Sequence, residues 1–308
     1  MTNKIAINKL PTKTWNFLDV NFAETEWDSK KEIQMNDDNM TFNNDKHEHM
    51  FEINSQGEYS SKKINIKCEE GRSQILEICS PTANLKTDIN ITMEKNSSVK
   101  LVQLLSPSER AVLCHKININ CESNSNVELL TIILGDGDTY ADHLIDLNGQ
   151  KSQVNVNTAY LGKNKQTIDY NIVVDHWGES TTSEINVNGA LMDSSRKTFR
   201  GTIDFKKGSS DSLGSENETV LMLGENVINK TVPLILCAEE NVEGTHGATI
   251  GELDKDTLFY FESRGIDAES AEKIMAYAAI DRVIKLSEND TLKEKVRNIL
   301  GSEFDNEE

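Results

Sequence analysis

From about residue 60 the chain is a succession of short runs in which apolar and polar residues alternate. Ile64-Asn-Ile-Lys-Cys68, Ile89-Asn-Ile-Thr-Met93, Ile117-Asn-Ile-Asn-Cys121 and Ile145-Asp-Leu-Asn-Gly149 are four versions of one phrase. Ile172-Val-Val-Asp-His176, Ile203-Asp-Phe-Lys-Lys207 and Leu234-Ile-Leu-Cys237 continue it less strictly, and the starting positions step by 25, 28, 28, 27, 31 and 31 residues. A period of two marks a strand with one buried face. After each phrase comes a polar turn, such as Lys95-Asn-Ser-Ser98 or Ser123-Asn-Ser-Asn126. A second alternating run follows it, as in Val99-Lys-Leu101, Val127-Glu-Leu129, Val154-Asn-Val156 and Ile185-Asn-Val187. Recurrence of this two-strand unit means that each unit stacks on the next. An antiparallel sandwich would alternate too, but it would not require residues of one phase to match from unit to unit, and here they match. The pattern predicts a mainly β chain, a right-handed parallel β-helix over residues 56–252, with Cys68, Met93 and Cys121 in one inward column.

Beyond Gly251 the period becomes helical. Asp254 is placed to cap a helix carrying Leu258, Phe259 and Phe261, with Gly265 to end it. Asp267 is placed to cap a second, in which Ala276, Ile280, Val283 and Ile284 share a face. A third begins near Asp290 with Leu292, Val296, Ile299 and Leu300 on one side, and the acidic end from Glu303 to Glu308 is expected to fray. Residues 253–308 are therefore a small C-terminal α-helical region, more apolar than three short helices can satisfy among themselves. Upstream, residues 1–55 read as a short N-terminal segment, Leu10-Pro-Thr-Lys-Thr-Trp-Asn-Phe-Leu18, followed by a polar stretch, 27–50, expected to be a loose linker.

Composition narrows the function. The 308 residues are 37% hydrophobic and only 6% aromatic, and 32 basic against 51 acidic residues give a net charge of −19. That balance excludes a nucleic-acid backbone as partner. No apolar run reaches membrane-spanning length and no signal pattern opens the chain, so it reads as cytoplasmic. Five cysteines without C-x-x-C spacing indicate neither a disulfide framework nor a zinc knuckle. Cys68 and Cys121 read as core residues, and core packing is favoured for Cys237 as well. His115 and His143 each stand two residues before a phrase and are expected to stack one rung apart. His47-Glu-His49 lies in the polar stretch and carries little weight as a metal pair, and Gly135-Asp-Gly-Asp reads as a tight turn rather than a calcium loop. There is no G-x-x-x-x-G-K-[ST], H-E-x-x-H or G-x-S-x-G, so the chain does not read as a conventional enzyme.

His246 is different. It follows the last strand phrase in Val242-Glu-Gly-Thr-His-Gly-Ala-Thr-Ile-Gly251, where strand sequence gives way to helix sequence. Neutral imidazole is a serviceable ligand for ferrous iron, and Glu243, Glu252 and Cys237 are near it in sequence. This segment, together with His176-Trp-Gly-Glu-Ser-Thr-Thr-Ser183, Arg196-Lys-Thr-Phe-Arg-Gly201, Glu216-Asn-Glu-Thr-Val-Leu-Met-Leu223 and Ser263-Arg-Gly-Ile266, resembles the signature of the SufB/SufD family. Members of that family are scaffolds of the SUF iron–sulfur assembly machine. The likeness is firmest from His176 to about Ile280 and is to the SufD branch. It implies a parallel β-helix and a non-catalytic scaffold that pairs through the end of its helix with a SufB-like subunit or a second copy. It also implies that the C-terminal helices hold a SufC-like ABC-type ATPase, which makes Leu258, Phe259, Phe261, Arg264 and Ile280 partner-binding candidates. His246 matches the SufD histidine, a candidate ligand of a transient iron–sulfur cluster at the pairing interface, with Glu243, Glu252 and Cys237 as further candidates. The SufB cysteine position falls near Glu218, and a cysteine found in some SufD sequences is Gly244 here, so the isolated chain is expected to bind no cluster. Two other readings remain: a β-helix module binding a ligand or carbohydrate, and a metal-dependent enzyme centred on His246.

Overall fold

The structure, a computed structural model, describes residues 2–14, 18–43 and 47–304. It begins with an antiparallel hairpin of β1 (Asn3–Ile7) and β2 (Ala23–Trp27). A parallel β-helix follows, built from two facing sheets. Short strands β3 (Glu32–Gln34) and β4 (Asp38–Phe42) open one sheet. It continues through β6 (Tyr59–Cys68), β8 (Asn84–Met93), β10 (Val112–Cys121), β12 (Asp138–Leu147), β14 (Thr167–His176), β16 (Arg196–Phe205) and β18 (Ile228–Cys237). The other sheet runs through β5 (His47–Ile53), β7 (Gly71–Cys79), β9 (Ser97–Leu105), β11 (Asn126–Ile133), β13 (Gln153–Gly162), β15 (Thr182–Met192), β17 (Ser212–Leu223) and β19 (Val242–Gly251). From β4 onward consecutive strands go to alternate sheets, so each coil adds one rung to both.

Register makes the inward columns explicit. Cys68 pairs with Met93, Met93 with Cys121 and Cys121 with Leu147, and all four are fully buried. Identical phases bring like side chains into contact, which is how coils without a large aromatic core exclude water. Turns stack as well. Asn96, Asn124, Lys151, Ser180 and Asp211 all take positive φ at the same corner, and Asn124 donates to the Asn96 side chain at 3.2 Å. The polar turn residues seen in the sequence are thus the corner posts of the coil.

Two expectations change here. The polar stretch 27–50 is not a loose linker, because β3, β4 and β5 all pair in parallel with the first full coil. Backbone pairing at an open sheet edge does not depend on apolar side chains, and Lys62–Asp38 and Lys31–Glu58 ion pairs, each 2.7 Å, accompany it. The solenoid therefore starts well before residue 56. The His115 and His143 columns also differ from expectation, since β12 is shifted by two residues against the phrase alignment. His143 pairs with Ile117 and His115 with Ala141, leaving the two rings 6.2 Å apart and edge-on. Trp15 and Phe17, the side chain of His47, and residues 305–308 of the acidic end lie outside what the structure describes. Gly135-Asp-Gly-Asp forms the turn between β11 and β12, where a Cβ on Gly137 would come within 2.4 Å of the Ser108 carbonyl.

Both outer faces are covered. The N-terminal hairpin lies over the even-numbered sheet. There buried Arg200 donates to the Val20 carbonyl and, at 2.6 Å, to Asp169, which also takes a bond from Asn8 at 2.6 Å. Three helices follow β19: α1 (Lys255–Ser263), α2 (Ala268–Ser287) and α3 (Asp290–Phe304). Asp254 and Asp267 cap α1 and α2 as read, and Gly265 takes positive φ just after α1. The apolar stripes of α2 and α3 pack on the outer face of the odd-numbered sheet, against Val102, Leu104, Leu130 and Ile132. Among the described residues no helix is long and apolar enough to cross a membrane.

Candidate functional site

The solenoid ends without a cap. Along β18 every residue from Asn229 to Leu236 is only half-buried, and along β19 every residue after Val242 is exposed. Among the described residues nothing covers the last rung, although its inward phase carries Ile235, Cys237, His246, Ala248 and Ile250. Ile250 and Ile228 are large apolar side chains left open on these two strands.

His246 stands on this rung in the inward column that runs Ile75, Leu101, Leu129, Val156, Ile185, Glu216. Five aliphatic positions thus give way to an acid and an imidazole in the last two coils. Glu216 is 2% exposed, and its carboxyl reaches across the interior to the opposite sheet. It occupies space that exists because residue 201 is glycine: a Cβ there would fall 2.3 Å from the carboxylate. Burial, and secondarily the neighbouring Glu218, push this carboxyl up to about 8. Glu216 Oε2 has no hydrogen-bond partner among the described residues. Two residues along β17, Glu218 forms a buried ion pair with Lys197 of β16. Thr231 donates to Glu218 at 2.6 Å, and Lys197 donates to Thr231 at 3.2 Å. Desolvation holds the Lys197 ammonium below the ordinary lysine value despite the pull of Glu218.

The other candidates separate. Cys237 is exposed, not packed in the core: it is the terminal member of the Cys68–Met93–Cys121 column, one rung beyond Phe205, with no coil above it. Its thiol donates to the Glu239 carbonyl at 2.9 Å. Cys237 and His246 share the inward phase of the last rung. Glu243 pairs with Leu213 on the opposite face of the strand, turned away from His246, and Glu252 lies past the end of β19. Among the described residues, no group of three metal-ligating side chains within 4.8 Å includes any of these four. Fe–S clusters are commonly held by four thiolates, and this end supplies a single thiol. The donor set does not fit a resident cluster.

Of the partner-binding candidates, Phe259 is 71% exposed, Arg264 is exposed, and Leu258 and Phe261 are half-buried on α1, which contains no buried residue. Tyr260 and Ile274 add to this open apolar surface. Ile280 is the exception. It is wholly buried beneath α2 against the odd-numbered sheet and is not on an accessible surface. Helix α2 packs along the middle coils, against β11, β13 and β15. Sequence reasoning missed Glu216 and Lys197. The signal available was the inward phase of β17, where Glu216 and Glu218 stand in line with Val220.

Comparison with known proteins agrees with this architecture. The family model for the SUF system FeS cluster assembly SufBD core domain matches residues 13–279. The chain is 27% identical to the iron–sulfur cluster assembly protein SufD of Bacillus subtilis over 167 residues, 54% of this chain and 38% of that protein. It is 24% identical to SufD of Escherichia coli over 155 residues, 50% of this chain and 37% of the relative. A chloroplastic iron–sulfur cluster assembly SufBD family protein of Arabidopsis thaliana is 27% identical over 125 residues, 41% of this chain and 22% of its own length. The chain thus matches well under half the length of these relatives. From the coil-by-coil repeat, the open last rung carrying His246 and the core-domain match, the chain belongs to the SufB/SufD family and is SufD-like.

Proposed function

We propose that the chain is a non-catalytic scaffold subunit of an iron–sulfur assembly complex, pairing through the open end of its solenoid with a SufB-like subunit or a second copy of itself. The observation that carries this reading is the uncapped last coil. A β-helix end normally needs a capping element, and here inward-phase side chains are left exposed beside His246 and Cys237. A partner solenoid meeting this end would bury them and add the donors that one imidazole and one thiol lack. Glu243 faces away and is a weaker ligand candidate than His246 or Cys237. In the same reading, α1 offers Leu258, Phe259, Phe261 and Arg264 to a SufC-like ATPase. Phe259 and Tyr260 are exposed aromatic side chains that a partner could cover. The carbohydrate-binding alternative finds little support: among the described residues Trp27 is buried under Tyr59 and Lys86, and the exposed Trp177 is engaged by Lys206 and Asp146.

The test is cluster formation in a complex reconstituted from this chain, a SufB-like subunit and a SufC-like ATPase. His246→Ala changes an exposed residue and is expected to cost less than about 1 kcal/mol of stability, yet to lower cluster formation sharply. Full cluster assembly by the alanine variant would refute the role of His246. Loss of ATPase co-purification on Phe259→Ala with Tyr260→Ala, the fold intact by circular dichroism, is expected; unchanged co-purification would remove α1 as the platform.

A further inference from the structure

A second group of chemistry-bearing residues lies at the other end of the solenoid, deep inside it. Glu77 and Cys79, two residues apart on β7, both point inward, and His115 of β10 faces them from the opposite sheet. All three are at most 1% exposed. One ligating atom from each lies within 4.8 Å of the others. Gln103 sits between them, its amide nitrogen 2.5 Å from Glu77 Oε2 and 2.9 Å from His115 Nε2, while its oxygen accepts from Thr131 at 3.1 Å. Thr87 Oγ1 is 2.5 Å from His115 Nδ1. These bonds use every side-chain nitrogen and oxygen of Glu77 and His115 but one. Glu77 Oε1 is buried and has no hydrogen-bond partner among the described residues. His115 Nδ1 lies 3.7 Å from it. That is too long for a hydrogen bond. It is close to the roughly 3.4 Å expected between two ligands held tetrahedrally about 2.1 Å from one ion.

We propose that Glu77, Cys79 and His115 form an internal, structural site for one divalent transition-metal ion, zinc or ferrous iron. Charge supports the assignment. A carboxylate, a thiolate and a neutral imidazole around a divalent ion sum to zero, the one combination that an apolar interior accepts without an outside counter-charge. Loading with a divalent ion releases the thiol proton, and the carboxyl proton if one is held there. Ligand softness supports it too, because a thiolate and an imidazole exclude calcium and magnesium and suit zinc or ferrous iron. Gln103 and Thr87 are the neutral oxygen-bearing neighbours for a fourth position. Placement inside two closed coils means the ion enters as the chain folds and then serves to pin β7 to β10, next to the half-formed first coil of β3, β4 and β5. The proposal does not depend on the role of the open end, which is formed by β18 and β19.

The experiment uses the full chain carrying Cys237→Ser, which removes the exposed thiol, purified without metal-affinity resin from cells grown in zinc- or iron-supplemented medium. Elemental analysis is expected to find about one zinc or iron ion per chain, retained after dialysis against EDTA. Growth in cobalt-supplemented medium is expected to yield a thiolate-to-cobalt charge-transfer band. Cys79→Ser should abolish that band and lower metal content by about tenfold or more. Cys121→Ser, an equally buried thiol with no ligating neighbours, should leave both unchanged. Background metal content in the unsubstituted site under every growth condition, with no cobalt band, overturns the proposal. A cobalt band that survives Cys79→Ser overturns it equally. Because the first of these readings is made on a chain with all three ligands intact, it holds even if a ligand variant fails to fold.

Discussion

Glu216 offers a test of the buried chemistry beneath the open end. Its carboxyl faces Gly201 across the interior, with Glu218 and Lys197 beside it and His246 on the rung above. Burial, then Glu218, raises it from 4.5 to about 8. Below pH 4 it is protonated whether the chain is folded or unfolded, and the folded state keeps its full stability. Between the two values the folded chain holds a proton that the unfolded chain has released, so stability falls as pH rises and levels off above about 8. The full span is about 3.5 pKa units at 1.36 kcal/mol each, or about 5 kcal/mol, of which about 2 kcal/mol is gone by pH 6. Glu216→Gln keeps the shape and removes the titration. Urea unfolding followed by circular dichroism should show the variant gaining about 4 kcal/mol on the parent between about pH 5 and about pH 8. Glu77, which burial also raises to about 8, contributes to both proteins and cancels in the difference. Parallel stability curves for the two chains across that range would falsify the assignment of Glu216 as a buried neutral acid.

Two further changes probe the packing. Lys197→Met leaves the buried Glu218 carboxylate unpaired and should cost about 3–5 kcal/mol; adding Glu218→Gln should recover most of it, because an uncompensated charge rather than a missing contact carries the penalty. A double variant as unstable as the sum of its parts, measured by urea unfolding, would contradict this. Ile280→Ala should destabilise by about 2–5 kcal/mol through a cavity between α2 and the odd-numbered sheet, whereas Phe259→Ala, on the open face of α1, should change stability by less than about 0.5 kcal/mol. Thermal unfolding of the two variants side by side separates the helix that seals the sheet from the helix left open.

Much of this protein was readable before any coordinates. Alternation fixes which side chains point inward, and the recurring phrase fixes that successive units stack, so the Cys68–Met93–Cys121 column follows from the chain alone. Capping residues at Asp254 and Asp267 likewise mark their helices, because the preference is local. What the sequence could not decide depends on position in the finished stack. Nothing in Leu234-Ile-Leu-Cys237 says that it is the last rung, so Cys237 looks like core until the absence of a further coil leaves it exposed. A slip of two residues keeps every side chain on the same face, so periodicity could not place His143 against Ile117 rather than His115. The α1 and α2 stripes look alike as patterns, and only docking on the sheet buries Ile280 and leaves Phe259 open. Glu77 and His115 meet across the interior although they are far apart in the chain, and no spacing rule joins residues on opposite sheets. A strand's own period determines which face a side chain takes; which neighbours it finds there, and whether water reaches it, is determined by long-range strand pairing.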